Sequence, residues 1–134
     1  MRRFFTISLI LFTASLLFVS CTKSAESKLI GTWKAQKVET DFDENKLSPE
    51  MINQVVEMQK QTYFRMINDS VMAIISKNNT HEAKWKFNKS NNTISYYFNG
   101  MNGIPSVLGT LKDDKIVSES KTPMGKITIY YELE

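Results

Sequence analysis

The sequence predicts an all-β protein: a small eight-stranded antiparallel up-and-down barrel, with one helix between strands 1 and 2. Three observations lead to this fold class. Apolar and polar residues alternate with period two through most of the chain, and runs rich in Asn, Asp, Ser, Pro and Gly separate the alternating stretches. The gaps between stretches are too short for parallel crossovers. With 134 residues, 42% of them hydrophobic, the chain suffices for one domain.

Strands are predicted wherever the alternation persists between turn signals. The clearest example is the stretch in which His81, Ala83, Trp85 and Phe87 alternate with charged residues. The eight predicted strands lie near residues 29–40, 63–68, 70–77, 81–88, 93–98, 106–112, 115–120 and 126–133. Closure into a barrel would remove exposed strand edges. The polar face carries Lys84, Lys86, Lys126 and Glu132, so it does not fit the apolar exterior of a membrane barrel.

One helix is predicted from about Ser48 to Gln61. Ser48 is a suitable N-cap, Pro49 occupies the first helical position and Glu50 complements the helix dipole. An apolar stripe at helical spacing should dock the helix on the sheet. That stripe consists of Met51, Ile52, Val55, Val56, Met58 and Tyr63. Its charge is too low to favour the alternative, a helix lying on a membrane surface.

The amino-terminal segment has the layout of a secretory signal. Two arginines precede Phe4 to Val19, which contains twelve apolar residues in sixteen. This run is shorter than the roughly 20 residues of a transmembrane helix. It ends in Leu17-Phe18-Val19-Ser20-Cys21, which resembles the lipobox of bacterial lipoproteins, although Phe18 replaces the usual Leu. The resemblance implies a signal peptide over residues 1–20 and lipid on Cys21, the only cysteine.

The polar residues 21–27 that follow are interpreted as a tether to the membrane. By resemblance to sorted lipoproteins, Thr22 after the cysteine favours the outer membrane of a Gram-negative cell envelope. Surface-exported lipoproteins of some lineages carry an acidic pair here, whereas this chain has the single Glu26. A periplasm-facing position is therefore expected.

The first predicted strand contains Leu29-Ile30-Gly31-Thr32-Trp33-Lys34. It resembles the G-x-W strand of lipocalins and, more closely, of lipocalin-like bacterial lipoproteins. The resemblance covers residues 28–134 and implies a barrel that Trp33 plugs at one end. Lipocalins usually place an arginine over that tryptophan, but this chain offers Lys121 and Lys126 near the last strand.

A barrel of this kind predicts a set of inward-facing residues that either line a ligand site or fill the interior. The candidates are Trp33, Phe64, Met66, Trp85, Phe87, Tyr96, Phe98, Ile129 and Tyr131. Arg65 would face the other way from Phe64 and Met66, but in a different register it would be the charged anchor of a ligand. The expected ligand is a small apolar or amphipathic molecule.

Several functional classes find no support in the sequence. Removing the two signal-peptide arginines lowers the net charge from +3 to about +1, with no basic cluster for nucleic acid. His81 is the only histidine, so neither a zinc site nor a serine nucleophile with its base is indicated. Asp41 to Asn45 resembles the start of a calcium loop but lacks its glycine and final glutamate. We expect a non-enzyme without metal or cofactor.

The alternative to a ligand carrier is an accessory or inhibitor lipoprotein. Its barrel would be filled by side chains, and it would bind another envelope protein. The loop Gly100-Met101-Asn102-Gly103-Ile104-Pro105 is the first candidate for such a contact, because it places apolar residues between glycines.

The lipid anchor yields the first testable prediction. Replacing Cys21 by Ser removes the thioether attachment, so lipoprotein processing should stop. The wild type should sediment with membranes and partition into detergent, because two acyl chains hold a protein far better than one. A chain in which a cleavable signal replaces residues 1–21 should instead appear as a soluble, folded barrel. A wild type that washes off membranes would refute the anchor.

Overall fold

The computed structural model describes residues 24–99 and 104–134. A short 3₁₀ helix, Ser27–Leu29, precedes the first strand, and one α-helix, α1 (Pro49–Lys60), connects the first two strands. The strands are β1 (Gly31–Phe42), β2 (Thr62–Met66), β3 (Val71–Ser76), β4 (Asn79–Asn88), β5 (Thr93–Tyr97), β6 (Ser106–Lys112), β7 (Lys115–Thr122) and β8 (Gly125–Leu133). The predicted helix and strands are all present, with ends shifted by a few residues.

Each strand pairs antiparallel with the next, and β1 pairs with β8, which closes an eight-stranded up-and-down barrel. The predicted fold class is confirmed. Two register shifts interrupt the ladders. Gln36 is an extra residue in β1 opposite β8, and Leu108 is an extra residue in β6 opposite β5. Each bulge moves the following side chains of its strand to the other face.

Local sequence explains the connections. The Ser48 Oγ accepts a hydrogen bond from the Met51 amide at 3.3 Å and starts α1 as predicted. Asp113 and Asp114, both at positive φ, form the two-residue β6–β7 turn. Gly125 has a φ of +140° and lies where a Cβ would fall 2.0 Å from the Asp41 carbonyl oxygen, so only glycine fits this start of β8.

The two ends of the barrel differ. We call the end that contains the 3₁₀ helix and the β2–β3, β4–β5 and β6–β7 turns the closed end. The opposite end, where α1 and the β3–β4 and β7–β8 turns lie, is the mouth. At the closed end Trp33 is buried and its Nε1 donates to the Leu29 carbonyl oxygen at 2.8 Å. Trp85 Nε1 donates to the Asn68 carbonyl oxygen at 2.9 Å. Both indoles therefore tie the closing segments to the core.

Candidate functional site

The barrel interior can be traced from the strand register, because directly paired residues point to the same face of a sheet. Trp33 pairs with Leu133, and Phe64 pairs with Trp33 and with Ile74. After the bulge at Gln36, the inward positions of β1 become Val38, Thr40 and Phe42. Eight of the nine predicted interior residues occupy inward positions in this register, and Phe98, which follows β5, packs against the core.

The half of the interior near the closed end is filled by side chains. Its members are almost completely buried and pack in one cluster. Trp33, Met66, Met72, Trp85, Ile94 and Ile116 each expose 2% or less of their surface. Protein interiors are densely packed, so side chains that are buried to this extent leave no space for a ligand between them. Trp33, Met66 and Trp85, which the sequence places among ligand candidates, therefore serve as core.

Aromatic rings continue from this core toward the mouth. Phe64 stacks on Trp33 at a centroid distance of 6.3 Å and meets Tyr131 edge-on at 4.8 Å. Such offset and edge-on pairs add to the stability that burial supplies. Phe64, Ile129 and Tyr131 are buried, whereas Phe87 is half-buried and lies near the closed end beside Trp33.

A second group of rings lies at the mouth. Tyr96 and Phe98 are half-buried and meet edge-on at 5.7 Å, and His81 meets Phe98 edge-on at 6.5 Å. His81 pairs with Ile74, which packs against the core, so its ring belongs to the inward face although it is exposed. The sequence places His81 on the same face of the strand as Ala83, Trp85 and Phe87. The structure makes it part of the mouth wall.

The opposite wall of the mouth is polar. Ser118 and Ser120 of β7 pair with the buried Ile129 and Ile127, so their hydroxyls face inward. Ser118 is half-buried and Ser120 is exposed. An inward side chain that meets solvent shows that the described part of the barrel is open at this end. Sequence reasoning missed these serines because β7 is polar on both faces, which removes the alternation that identifies an inner face.

Tyr131 brings a polar group to the boundary between the filled half and the mouth. Burial, and to a smaller extent the nearby Tyr96, raise the pKa of Tyr131 to about 12. The hydroxyl is therefore neutral at physiological pH. It offers the mouth a hydrogen-bond donor and acceptor without a charge.

Helix α1 contacts β1 and β2 at the mouth, and Val55 packs against the core. Ile52 and Val56 are half-buried, but no residue of the helix is fully buried. The predicted apolar stripe is therefore too wide, because Met51 and Met58 are exposed. The helix touches the barrel by a narrow strip of side chains beside β1 and β2, so it lies at one side of the mouth and buries little area.

Arg65 lies on the outer face of β2. It pairs with Thr32 and Ala73, and its Nε donates to the Thr32 Oγ1 at 3.3 Å. The register in which Arg65 would point into the barrel is not adopted. Arg65 therefore faces away from Phe64 and Met66, as strand alternation predicts, and is not a charged anchor inside the barrel.

Five of the more prominent depressions in the described part of the chain have volumes of about 380–570 Å³. One of about 410 Å³ lies at the closed end and is lined by Leu29, Trp33 and Phe87 among others. The other four lie on outer faces of the sheet or along α1, and none of the five is enclosed within the mouth. The mouth is thus an open wall of rings and hydroxyls.

Cys21, the predicted signal peptide and Met101 lie outside the described residues. Within residues 24–99 and 104–134, no helix has the length and apolar character needed to cross a membrane. No group of three or more His, Cys, Asp or Glu side chains in those ranges is arranged to hold a metal ion.

Comparison with protein-family models finds no match to the chain. Searches of curated proteins and of solved structures find no match either.

The raised pKa of Tyr131 predicts a loss of stability at high pH. An unfolded tyrosine loses its proton near pH 10, whereas folded Tyr131 keeps it until about pH 12. The folded state binds more protons in this window, so stability is full below pH 10 and falls as pH rises. The two-unit difference amounts to about 3 kcal/mol by pH 12, of which about 1 kcal/mol is lost by pH 11.

Urea unfolding of the wild type and Tyr131→Phe at pH 8 and pH 11 measures this loss. The difference in unfolding free energy between the two proteins should shrink by about 1 kcal/mol at the higher pH. Tyr97→Phe, which changes a tyrosine on the outer face, is the control. A constant difference for Tyr131→Phe would contradict the prediction.

Proposed function

We propose that the protein is a lipid-anchored lipoprotein of the Gram-negative cell envelope whose lipocalin-like barrel binds a small apolar or amphipathic molecule at its mouth. The lipobox ending at Cys21 and the Gly31-Thr32-Trp33 strand support this proposal. The anchor places the barrel at the outer membrane, facing the periplasm. The proposed role is binding rather than catalysis.

One observation carries the ligand proposal: inward-facing residues at the mouth remain accessible to solvent. Ser120 and His81 both occupy inward positions and are exposed, while the paired Ile127 and the neighbouring Phe98 belong to the core or pack against it. A ligand that enters here would replace water on apolar rings. Burial of apolar surface favours association at about 25 cal/mol per Å² before the costs of binding are subtracted.

The chemistry of the wall defines the ligand class. Tyr96, Phe98 and Ile129 supply apolar surface, and Ser118 with Tyr131 supplies uncharged hydroxyls. Arg65 points outward, so the interior site lacks the cation that the sequence offered. We therefore propose a ligand with an apolar body and a polar, uncharged group. Because none of the five depressions encloses the mouth within residues 24–99 and 104–134, part of the ligand stays in contact with water or with α1.

Filling the mouth tests the proposal. Ser118→Trp places an indole on the inward face, and Glu119→Trp places the same indole one residue along, on the outer face. The fluorescent probe 1-anilinonaphthalene-8-sulfonate and a fluorescent fatty alcohol report binding. Ser118→Trp should weaken binding of the alcohol at least tenfold, while Glu119→Trp should bind as the wild type does.

Thermal unfolding establishes first that both variants fold. If Ser118→Trp does not fold, Ser120→Phe is tested in its place, because Ser120 lies in the exposed part of the same wall. A wild type that binds neither probe, or a folded Ser118→Trp that binds as the wild type does, would overturn the ligand proposal.

A second candidate function is a protein contact made by the β5–β6 connection. Ile104, within the loop that the sequence singles out, is 95% exposed, and Val107, just after that loop, is 66% exposed. Exposed apolar residues at a strand end are a common feature of contact surfaces. In this proposal the barrel is a scaffold and an envelope protein is the partner.

Substitution of Ile104 by Ser, alone and together with Met101→Ser, tests the contact. Crosslinking in native envelopes followed by purification should lose a partner that the wild type retains, with the melting temperature unchanged. Met58→Ser on α1, also exposed, is the matched control. An identical set of crosslinked proteins for wild type and variants would exclude this loop as the contact.

A further inference from the structure

Three large apolar side chains are exposed at the closed end of the barrel. They are Ile30 (41% exposed), Ile67 (48%) and Leu133 (44%). Ile30 immediately precedes β1, Ile67 immediately follows β2, and Leu133 ends β8. All three therefore lie on the rim at which the chain enters the barrel. We call this group the closed-end patch.

The members of the patch are neighbours. Gly31 pairs with Met66, which places Ile30 and Ile67 side by side one step beyond the last pair of the β1–β2 ladder. The Leu133 side chain lies against Gly31. A Cβ added to Gly31 would fall 2.7 Å from the Cδ1 atom of Leu133. The patch thus follows three adjacent strands, β8, β1 and β2.

The patch adjoins the depression at the closed end. Leu133 belongs to both, and the depression of about 410 Å³ is further lined by Leu29, Trp33 and Leu111. Lys28, Asn92 and Asp114 also line the depression, so its apolar walls have a polar border. An exposed apolar patch with a polar border is typical of a contact surface.

The course of the chain identifies that partner. The described chain begins at Ser24, whose carbonyl oxygen accepts from the Ser27 amide at 3.1 Å, and Ala25 lines the depression. The last residues of the predicted tether are thus held against the closed end. Two residues separate Ser24 from Cys21, so the three Cα–Cα steps between them span at most about 11 Å. Lipid on Cys21 would bring this end of the barrel to the membrane surface.

The charges around the closed end nearly cancel, because Lys28, Lys89 and Lys112 at this end offset Glu26, Asp113 and Asp114. Lys34 pairs with Glu134 at 2.8 Å, and Lys115 pairs with Glu132 at 3.0 Å. Asp113 and Asp114 lie in the β6–β7 turn of the same end. An anionic lipid surface would favour a cluster of unpaired basic residues. The patch instead suits a zwitterionic, apolar interface.

We propose that the closed-end patch docks on the lipid surface, with Ile30, Ile67 and Leu133 in the interfacial region of the bilayer. The proposal rests on the anchoring at Cys21 proposed above and adds an orientation to it. The closed end faces the membrane, and the mouth with α1 points into the aqueous compartment. The ligand site is then accessible from water rather than from the bilayer.

Depth-dependent quenching tests the orientation. Asp69→Cys labels the turn next to Ile67, and Met124→Cys labels the β7–β8 turn at the mouth. Each variant of the full lipoprotein carries an environment-sensitive fluorophore on the new thiol, in phosphatidylcholine vesicles that contain nitroxide-labelled lipid. The label at residue 69 should be quenched at least threefold more than the label at residue 124. Equal quenching would overturn the proposal.

A second experiment tests docking of the closed-end patch independently of the anchor at Cys21. The barrel without residues 1–21 carries an amino-terminal hexahistidine and is held on vesicles by nickel-chelating lipid, with the same two labels. Failure of the full chain to float with vesicles refutes the anchor at Cys21. The difference in quenching between residues 69 and 124 on the nickel-chelating vesicles then still decides whether the closed-end patch docks.

Matched variants identify the residues responsible. Ile30→Ser with Ile67→Ser should reduce the quenching at residue 69 to the level at residue 124. Met51→Ser with Met58→Ser, which changes two exposed apolar residues of α1, should leave it unchanged. If the soluble barrel forms a dimer that Ile30→Ser with Ile67→Ser abolishes, the patch binds a second copy and the membrane proposal is wrong.

Discussion

The pairing of β1 with β8 is the constraint on which the rest of the structure depends. It joins the first strand to the last and thereby gives every other strand an inner and an outer face. The ladder is maintained by local adjustments. Gln36 is accommodated as a bulge, Gly31 makes room for Leu133, and Gly125 comes close to the Asp41 backbone at a φ that other residues rarely adopt. Without this closure, the edges of β1 and β8 would be open to pairing with other chains.

Closure also explains why the two ends of the interior differ. At the closed end, large apolar side chains meet across a narrow space, and the two tryptophan N–H groups are satisfied by carbonyls of the closing segments. A buried N–H without a partner would cost roughly 1–3 kcal/mol, so these bonds hold the 3₁₀ helix and the β2–β3 turn in place. At the mouth, β7 contributes Ser118 and Ser120 instead of large apolar residues. Side chains therefore fill the interior at the closed end and leave it open to solvent at the mouth.

The difference between the two ends of the barrel agrees with the proposed functions. The chain enters at the filled end, beside the closed-end patch, and the wall of rings and hydroxyls lies at the far end. A membrane-bound barrel in this orientation presents its mouth, α1 and the exposed Ile104 to the aqueous compartment. Both candidate functions, binding of a small molecule and contact with another protein, use that same end.

The sequence by itself determined the class of fold and the approximate positions of its elements. Period-two alternation depends on neighbouring residues alone, so residues 81–88 identify a strand, and Ser48 with Pro49 identifies the start of α1, without knowledge of the partners. The same alternation predicted that Arg65 lies on the outer face of β2. The bulges, the inward position of Ser118 and the exposure of Met51 were decided by the tertiary structure. These features depend on register between distant strands and on how closely a helix approaches the sheet, which closure of the barrel sets and local periodicity does not encode.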